Sequence, residues 1–327
     1  MAEETAALTE EQAAVYDRQI RVWGVETQQR LGNARVLFVG CTGVVAETCK
    51  NVVLAGIGSV TLLDDRAVAS ANEPGNFLVT CDADPGGSVA QASVQVLKEM
   101  NPMVKIEAIK GPIEALPIEV FKSFDVIVSS GVSLDAQEKL NRVCRERGVK
   151  FLATSCHSSC GYFFFDLLQH TYKPQPKKKE DGDAQPSQPV EVKEENMEYV
   201  PLEEALSATH WPTLSARASR VYVALSAIRE TERLLQRPLT SADVAAVNSK
   251  MCELAAGTKL KPDKLPADLV EAIVSDPVQH PAVAAIVGGF LGQEILKTVS
   301  AKAAPMQNFF FFDLESGDGN IERVPVA

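Results

Sequence analysis

The sequence predicts an α/β protein in which helices flank a doubly wound, mostly parallel sheet. The first observation is the stretch 35–50, where an apolar run over 36–39 leads through a glycine turn into helical spacing over 44–53. An uninterrupted apolar run is typical of a strand buried on both faces, as in parallel sheets. The second observation is that similar runs alternate with helical segments along the chain. The strand, glycine turn and helix are typical of the opening unit of a Rossmann-like, nucleotide-binding fold.

The other elements follow in chain order. Thr9 and Gln12 predict a capping box for a helix over 10–16, and a second helix is expected over 26–31. Further strands are predicted at 59–63, 105–109, 125–129, 149–153, 162–167 and 308–313. Helical spacing predicts helices at 88–100, 135–147, 215–235 and 281–300. This alternation favours the doubly wound arrangement.

Composition divides the chain into four parts. Residues 1–168 carry the first part of the α/β fold, 278–327 complete it, and 201–277 form a mainly helical segment. Between the first and the helical part, 169–200 is expected to be a disordered insertion, because it combines four prolines with many charged residues. Its lysine triplet at 177–179 is a weak nuclear-import pattern, more simply explained as solvated charge.

Composition also excludes several classes of function. The net charge of −11 and the sequence pI of about 5.0 argue against a nucleic-acid partner. The first residues lack the basic and apolar regions of a signal peptide, and no apolar run was found to approach the roughly 20 residues of a membrane span, so no membrane is expected. Seven scattered cysteines favour a reducing compartment, and we expect the nucleus and cytoplasm.

The glycine turn after the first strand departs from the phosphate-binding pattern. A G-x-G-x-x-G turn needs small residues so that the backbone can approach a pyrophosphate. Gly40, Thr42 and Val45 occupy the three glycine positions here, with Gly43 among them, and the β-branched side chains add methyl groups to that space. Asp64 ends the next strand near the spacing of about 20 residues at which a carboxylate binds a ribose, but it is equally explained as a strand end. We predict a nucleotide-binding scaffold with a degenerate site.

Cys156 and Cys160 flank His157 with a C-x₃-C spacing. Cysteine metal sites generally need a second pair, which the sequence lacks, so two buried thiols at a strand end are favoured over a metal site. No neighbouring residue activates either thiol as a nucleophile. We predict no metal site, and the sequence leaves a redox role of the two thiols open.

Four segments together resemble a known family. They are YDRQIRVWG at 16–24, NPMV at 101–104, PAVAAIVGGFLGQEILK at 281–297 and NFFFFD at 308–313. With the strand-turn-helix at Gly40, they are similar to the ubiquitin-like-modifier-activating enzymes, which share the MoeB/ThiF adenylation fold. The resemblance covers roughly 10–168 and 278–315, and it is strongest to the small, Aos-type subunits of the SUMO-activating enzymes.

That resemblance implies a role in ATP-dependent activation of SUMO. A larger, Uba-type partner subunit would hold ATP and magnesium, and a cysteine of the partner would receive SUMO from its adenylate as a thioester. The resemblance also implies one functional residue, Arg18 of YDRQ, which would reach across the dimer to the partner's ATP. Arg21 would only tie the segment down. The segment 16–24 and the helix around Gly288 are expected at or near the subunit interface.

Departures from the active members of the family imply that this chain binds no cofactor itself. Gly75, Val89 and Val132 stand where those members carry a nucleotide-binding arginine, a lysine and a magnesium-binding aspartate. Arg66 stands where the second acid of a D-x-D pattern would be. Adenylation needs cations and a metal ligand against the developing charge, so these losses favour a pseudo-active site.

Three alternatives stay open at this point. The chain could be a pure scaffold in which Arg18 adds nothing chemical. It could be a self-sufficient adenylyltransferase of the MoeB type or a Rossmann dehydrogenase, which nucleotide binding by the isolated chain would reveal. Within the family, it could be the regulatory subunit for the Nedd-type modifier, although that subunit carries a larger insertion.

Overall fold

The computed structural model describes residues 8–70, 75–113, 116–174, 193–262, 265–275 and 278–325. Ten strands are found in this part of the chain: β1 Arg35–Val39, β2 Ser59–Leu63, β3 Lys105–Ile109, β4 Val126–Ser129, β5 Lys150–Cys156, β6 Cys160–Asp166, β7 Gln169–Tyr172, β8 Glu195–Glu198, β9 Phe309–Asp313 and β10 Asp318–Glu322. Eight of them form one sheet in the order β10-β9-β6-β5-β4-β1-β2-β3.

The predicted fold class is confirmed by the pairing of these strands. From β3 to β5 all neighbours are parallel, and the chain order reverses between β1 and β4. Strands β6, β9 and β10 extend the sheet in antiparallel fashion. Ligands of such sheets bind at the carboxyl ends of the strands near the reversal point, so the β1–β4 junction is where a site is expected.

Twelve α-helices surround the sheets in the described residues: α1 Glu10–Val15, α2 Asp17–Trp23, α3 Val25–Asn33, α4 Gly43–Leu54, α5 Val89–Met100, α6 Ile118–Phe121, α7 Leu134–Arg147, α8 Leu202–Ala205, α9 Arg220–Leu235, α10 Val244–Ala255, α11 Ala267–Ser275 and α12 Pro281–Ser300. Two apolar cores result, one on each face of the large sheet. Helices α4, α5 and α12 bury their apolar residues in the first core. Helices α7, α9, α10 and α11 do so in the second core, so the mainly helical segment covers one face.

The glycines of α12 allow it to lie directly on α4. A Cβ added at Gly288 would lie 2.7 Å from the Val44 carbonyl oxygen, and one at Gly292 would lie 2.9 Å from Asn51 Cβ. Only glycine permits this approach of two helix backbones. The Gly288 face of the helix therefore packs inside the chain, and the expectation that this helix lies at or near the subunit interface stays a prediction. Phe290, on another side of the helix, is exposed.

Helix α12 also corrects the expectation that no apolar segment approaches membrane-spanning length. Its 20 residues are long and apolar enough to cross a bilayer by length and composition. Half of them are buried inside the fold, however, against α4 and β6 among others. Packing in the first core accounts for its composition.

The predicted disordered insertion is ordered at both ends. Strands β7 and β8 pair in antiparallel fashion, from Gln169 opposite Glu198 to Tyr172 opposite Glu195. The region between them, 175–192, with its lysine triplet, lies outside the described residues. These two strands and β10 are not predicted from the sequence, because their mostly polar residues have no alternating apolar pattern.

Candidate functional site

The chain crosses from β1 to α4 through a turn that only glycine can form. Gly40 has φ +83°, and a Cβ there would lie 1.9 Å from the Ser130 carbonyl oxygen, just beyond β4. Its backbone N–H donates to the Leu63 carbonyl oxygen at 2.8 Å. Gly40 is therefore required by the crossing of three neighbouring strand ends, whether or not a phosphate binds here.

The N-terminus of α4, where a nucleotide phosphate would bind in this fold, is covered by the chain itself. A Cβ added at Gly43 would lie 2.9 Å from the Gly75 carbonyl carbon, so the two backbones are in contact. The Val44 N–H donates to Gln279 Oε1 at 3.2 Å. Thr42 is buried, and its hydroxyl shares a hydrogen bond of 2.8 Å with the Ser130 hydroxyl. Groups that could hold a phosphate contact protein instead.

Asp64 is engaged in the same way. Its carboxylate is buried, accepts the Cys41 N–H at 2.7 Å, and binds the Arg66 guanidinium through Nε at 3.0 Å and Nη2 at 2.7 Å. Asn76 Nδ2 donates to the Cys41 carbonyl oxygen at 2.7 Å. Of the two explanations that the sequence left open, these contacts favour the structural one, because the carboxylate that could bind a ribose already holds the turn and Arg66.

The other positions at which this chain departs from the nucleotide-binding pattern carry no charged side chain. Val45 and Val89 are fully buried in the first core, and Val132 follows β4 as a partly buried residue. Asp64 thus contacts the glycine turn through the Cys41 N–H, whereas the Val45 side chain belongs to the first core; the degenerate site stays a prediction. Among the described residues, the N-terminus of α4 and the Asp64 carboxylate are thus occupied by groups of the same chain.

Arg18 is far less constrained. It is exposed on α2, and no ion pair or hydrogen bond to it is found in the described part of the chain. Arg21, one turn later, pairs with Asp17 at 2.8 Å. The exposed side chains nearby along the chain include Val15 and Val22, which are 59% and 81% exposed. Arg18 is therefore an exposed cation in a segment that combines charged and apolar side chains on its surface.

The segment around Arg18 is held in place by a contact that sequence reasoning missed. Asn101 Nδ2 donates to the buried Tyr16 hydroxyl at 2.8 Å and to the Val53 carbonyl oxygen at 2.8 Å. Gln19 Nε2 donates to the Leu54 carbonyl oxygen at 3.2 Å. YDRQIRVWG and NPMV, two of the four segments that carry the family resemblance, are thus joined by a hydrogen bond. Their polar residues were the available indication, since a buried polar group requires a partner.

Comparison with known proteins identifies the family. The ThiF family model matches residues 16–327. The chain belongs to the ThiF family. Its relatives include SUMO-activating enzyme subunit 1B-1 of Arabidopsis thaliana, 39% identical over 96% of this chain and 97% of the relative. SUMO-activating enzyme subunit 1 is 34% identical in Danio rerio, over 98% of this chain and 97% of the relative, and 32% identical in Homo sapiens, over 96% of each chain. The resemblance to the small subunits of SUMO-activating enzymes is confirmed.

The two cysteines around His157 do not form a joint site in this ThiF-family chain. Cys156 is buried in the first core and Cys160 in the second, on opposite faces of the sheet. Burial raises the pKa of Cys160 to about 12 and that of Cys156 well above its usual value. The described residues contain no cluster of His, Cys, Asp and Glu that could hold a metal. Two separate buried thiols, as predicted, account for the pattern.

Thiol reactivity checks this assignment. Cys81 and Cys252 are exposed, whereas the other five cysteines are buried. We expect two thiols to react rapidly with Ellman's reagent at neutral pH and five only after unfolding, because the thiolate is the reactive form and burial suppresses it. A Cys81→Ser/Cys252→Ser double variant should lose the rapid phase. Rapid reaction of that variant would instead show an accessible thiol in the folded sheet.

Proposed function

We propose that this chain is the small subunit of a heterodimeric SUMO-activating enzyme and that it supplies Arg18 in trans to the adenylation site of a larger, Uba-type subunit. In this proposal ATP and magnesium bind to the larger subunit, and the isolated chain is inactive. SUMO is adenylated at its C-terminal carboxylate and then passes to a cysteine of the larger subunit as a thioester. The heterodimer works in the nucleus and cytoplasm.

The observation that carries this proposal is the contrast between Arg18 and the crevice. The crevice groups at Asp64 and Val44 are engaged by Arg66 and Gln279 of the same chain. Arg18 is exposed without an ion pair among the described residues, in a segment anchored through Tyr16. An arginine held in this manner can bind a phosphate of another subunit without rearrangement of its own fold.

Exposed apolar side chains support assembly with a partner. Val15, Val22 and Val25 are all at least half exposed, and they lie before and after Arg18 in the sequence. Exposed apolar side chains that gather into one patch mark contact surfaces in soluble assemblies. If a partner covers these valines, Arg18 is carried to its surface as well.

The names of the relatives favour SUMO over the Nedd-type modifier, the alternative that the sequence had left open within the family. The ThiF match and the engaged crevice also weigh against a dehydrogenase. The scaffold alternative differs from our proposal only in the role of Arg18. The activity of an Arg18 variant therefore distinguishes the two, whereas assembly of the heterodimer is expected from both.

The proposal is tested by ATP–pyrophosphate exchange with SUMO. The chain alone, a Uba-type subunit alone and their mixture are assayed at equal concentrations. We expect rapid exchange only in the mixture, because neither subunit alone holds all the groups that bind ATP. Exchange by the chain alone would contradict the proposal and show a complete nucleotide site within it. Titration of one subunit with the other should reach its plateau at a one-to-one ratio.

A further inference from the structure

A second cavity lies at the carboxyl end of the parallel strands, on the β4–β5 side of the crevice already described. Its volume is 250 Å³. Val132 and Ser133 line it just after β4, and Ser155 and His157 line it at the end of β5. Apolar side chains of α9 and α11, such as Ile228 and Ile273, form the opposite wall. This edge of the sheet is where open α/β folds bind ligands, and here the cavity is open.

The cavity contains one carboxylate, that of Glu232 on α9. Glu232, Ser133 and Pro238 line both this cavity and a larger neighbouring one of 480 Å³, so Glu232 stands where the two cavities meet. A backbone hydrogen bond from Leu239 stabilises its ionised form, whereas burial and the nearby carboxylate of Asp135 destabilise it. The described residues provide no lysine or arginine that pairs with Glu232.

The cations near Glu232 are engaged by other carboxylates. Lys139 pairs with Asp135 at 2.6 Å, and Arg237 binds Asp243 through two nitrogens at 2.7 and 2.8 Å. The buried guanidinium of Arg229 is held by Glu138 and Glu230, and the exposed Arg233 also faces Glu230, at 3.7 Å. Glu232 is therefore a carboxylate beside an apolar wall for which the described residues supply no ion-pair partner. Such a group costs free energy unless a cation reaches it.

We propose that this cavity binds an alkylammonium or alkylguanidinium group, with Glu232 as its counter-ion and the apolar side chains of α9 and α11 around its aliphatic stem. Its volume lies below the roughly 300–1,000 Å³ of pockets for drug-sized ligands, which suits a single long side chain or a small amine. Such cations place an apolar stem against hydrocarbon and a charged end on a carboxylate. The rest of the ligand can extend past Glu232 into the larger neighbouring cavity.

Calorimetric titration of the full chain with n-butylguanidinium and with its neutral isostere n-butylurea tests the proposal. We expect the wild type to bind the cation at least about tenfold more tightly than the urea, a difference of about 1.4 kcal/mol. Glu232→Gln should abolish this preference while leaving the cavity shape unchanged. Glu253→Gln, which alters an exposed carboxylate on α10, serves as the matched control and should retain it. Equal preference in wild type and Glu232→Gln, or no binding of the cation to the wild type, would overturn the proposal.

Proton release provides a second measurement that a purely structural role of Glu232 would not affect. Burial raises the pKa of Glu232 to about 7, so the carboxyl is partly protonated at neutral pH. A bound cation stabilises the ionised form and lowers this pKa, so binding at pH 7 should release protons. The other ionisable groups that line the two cavities are unchanged in Glu232→Gln; they are Asp135, Glu138, Lys139, His157, Tyr162, Arg229, Arg233 and Arg237. Binding heats in phosphate and TES buffers, neither of which supplies a primary ammonium, should therefore differ for the wild type and agree for the variant; the same proton release in both would count against Glu232 as counter-ion.

The source of the cation is distinguished with a peptide. Acetyl-Gly-Arg-Gly-amide carries the same guanidinium on a polypeptide backbone. Tighter binding than n-butylguanidinium, dependent on Glu232, would assign the site to a basic side chain of a partner protein. Weaker binding with the same dependence would assign it to a small amine or guanidine.

Discussion

Arg18→Ala is expected to lower ATP–pyrophosphate exchange by the assembled heterodimer at least about 100-fold, while leaving assembly intact. The side chain has no ion pair or hydrogen bond within the described part of the chain, so its removal has little effect on the fold. An arginine that reaches transferring phosphates removes charge repulsion mainly in the transition state, so the loss should appear in the rate rather than in the affinity for ATP. Exchange kinetics over a range of ATP concentrations measure both quantities.

Arg21→Ala is the matched control for this experiment. Arg21 lies on the same helix and is also exposed, but it is paired with Asp17. We expect at most a severalfold change, in line with the small stabilisation of an exposed ion pair. Equal rates for Arg18→Ala and the wild type, with normal assembly by size-exclusion chromatography, would support the scaffold alternative. Comparable losses in both variants would show that the segment acts through its general charge.

Gly40→Ala is expected to be among the most destabilising single-methyl additions to this chain. The methyl group would overlap the Ser130 carbonyl oxygen, and Gly40 has a positive φ that alanine adopts only with strain. Backbone strain costs about 1–2 kcal/mol, and the overlap adds a further 1–3 kcal/mol or so if the strands must separate. Urea unfolding of the purified chain measures the total.

Gly148→Ala separates the two contributions. Gly148 has φ +69°, but a Cβ there would have no heavy atom within 4 Å. We expect only the strain term of about 1–2 kcal/mol in this variant. Equal free-energy losses at the two positions would mean that β1 and β4 adjust to the methyl group, and that Gly40 is not required by the strand crossing.

The fold was predictable because its central strands are local patterns. Strands β1, β2 and β4 are short runs of mostly apolar residues, and the parallel order of β1 to β5 follows from the intervening helices. Strands β8 and β10 escaped prediction because their residues are mostly exposed and polar. Their strand conformation depends on hydrogen bonding to β7 and β9, a tertiary effect that propensity does not report.

The candidate site was predictable only in part, for a related reason. The obstruction of the glycine turn at Thr42 and Val45 is visible in one short segment. The occupation of the α4 N-terminus by Gln279 is not, since 235 residues separate Gln279 from Val44. The same holds for the contact of Asn101 with Tyr16, and for Glu232, whose missing countercharge appears only once the helical segment is folded against β4 and β5.

The packing of α12 on α4 has a consequence for synthesis of the chain. Val44 meets Gly288, and β6 pairs with β9 through Phe163 and Phe310, so partners more than a hundred residues apart in sequence complete the first core. When residues 1–168 have left the ribosome, α4 and β6 are complete but part of their apolar surface has no cover. Closing such long loops is slow. The nascent chain must therefore stay unaggregated, through the entire translation of the helical segment, until α12 and β9 emerge.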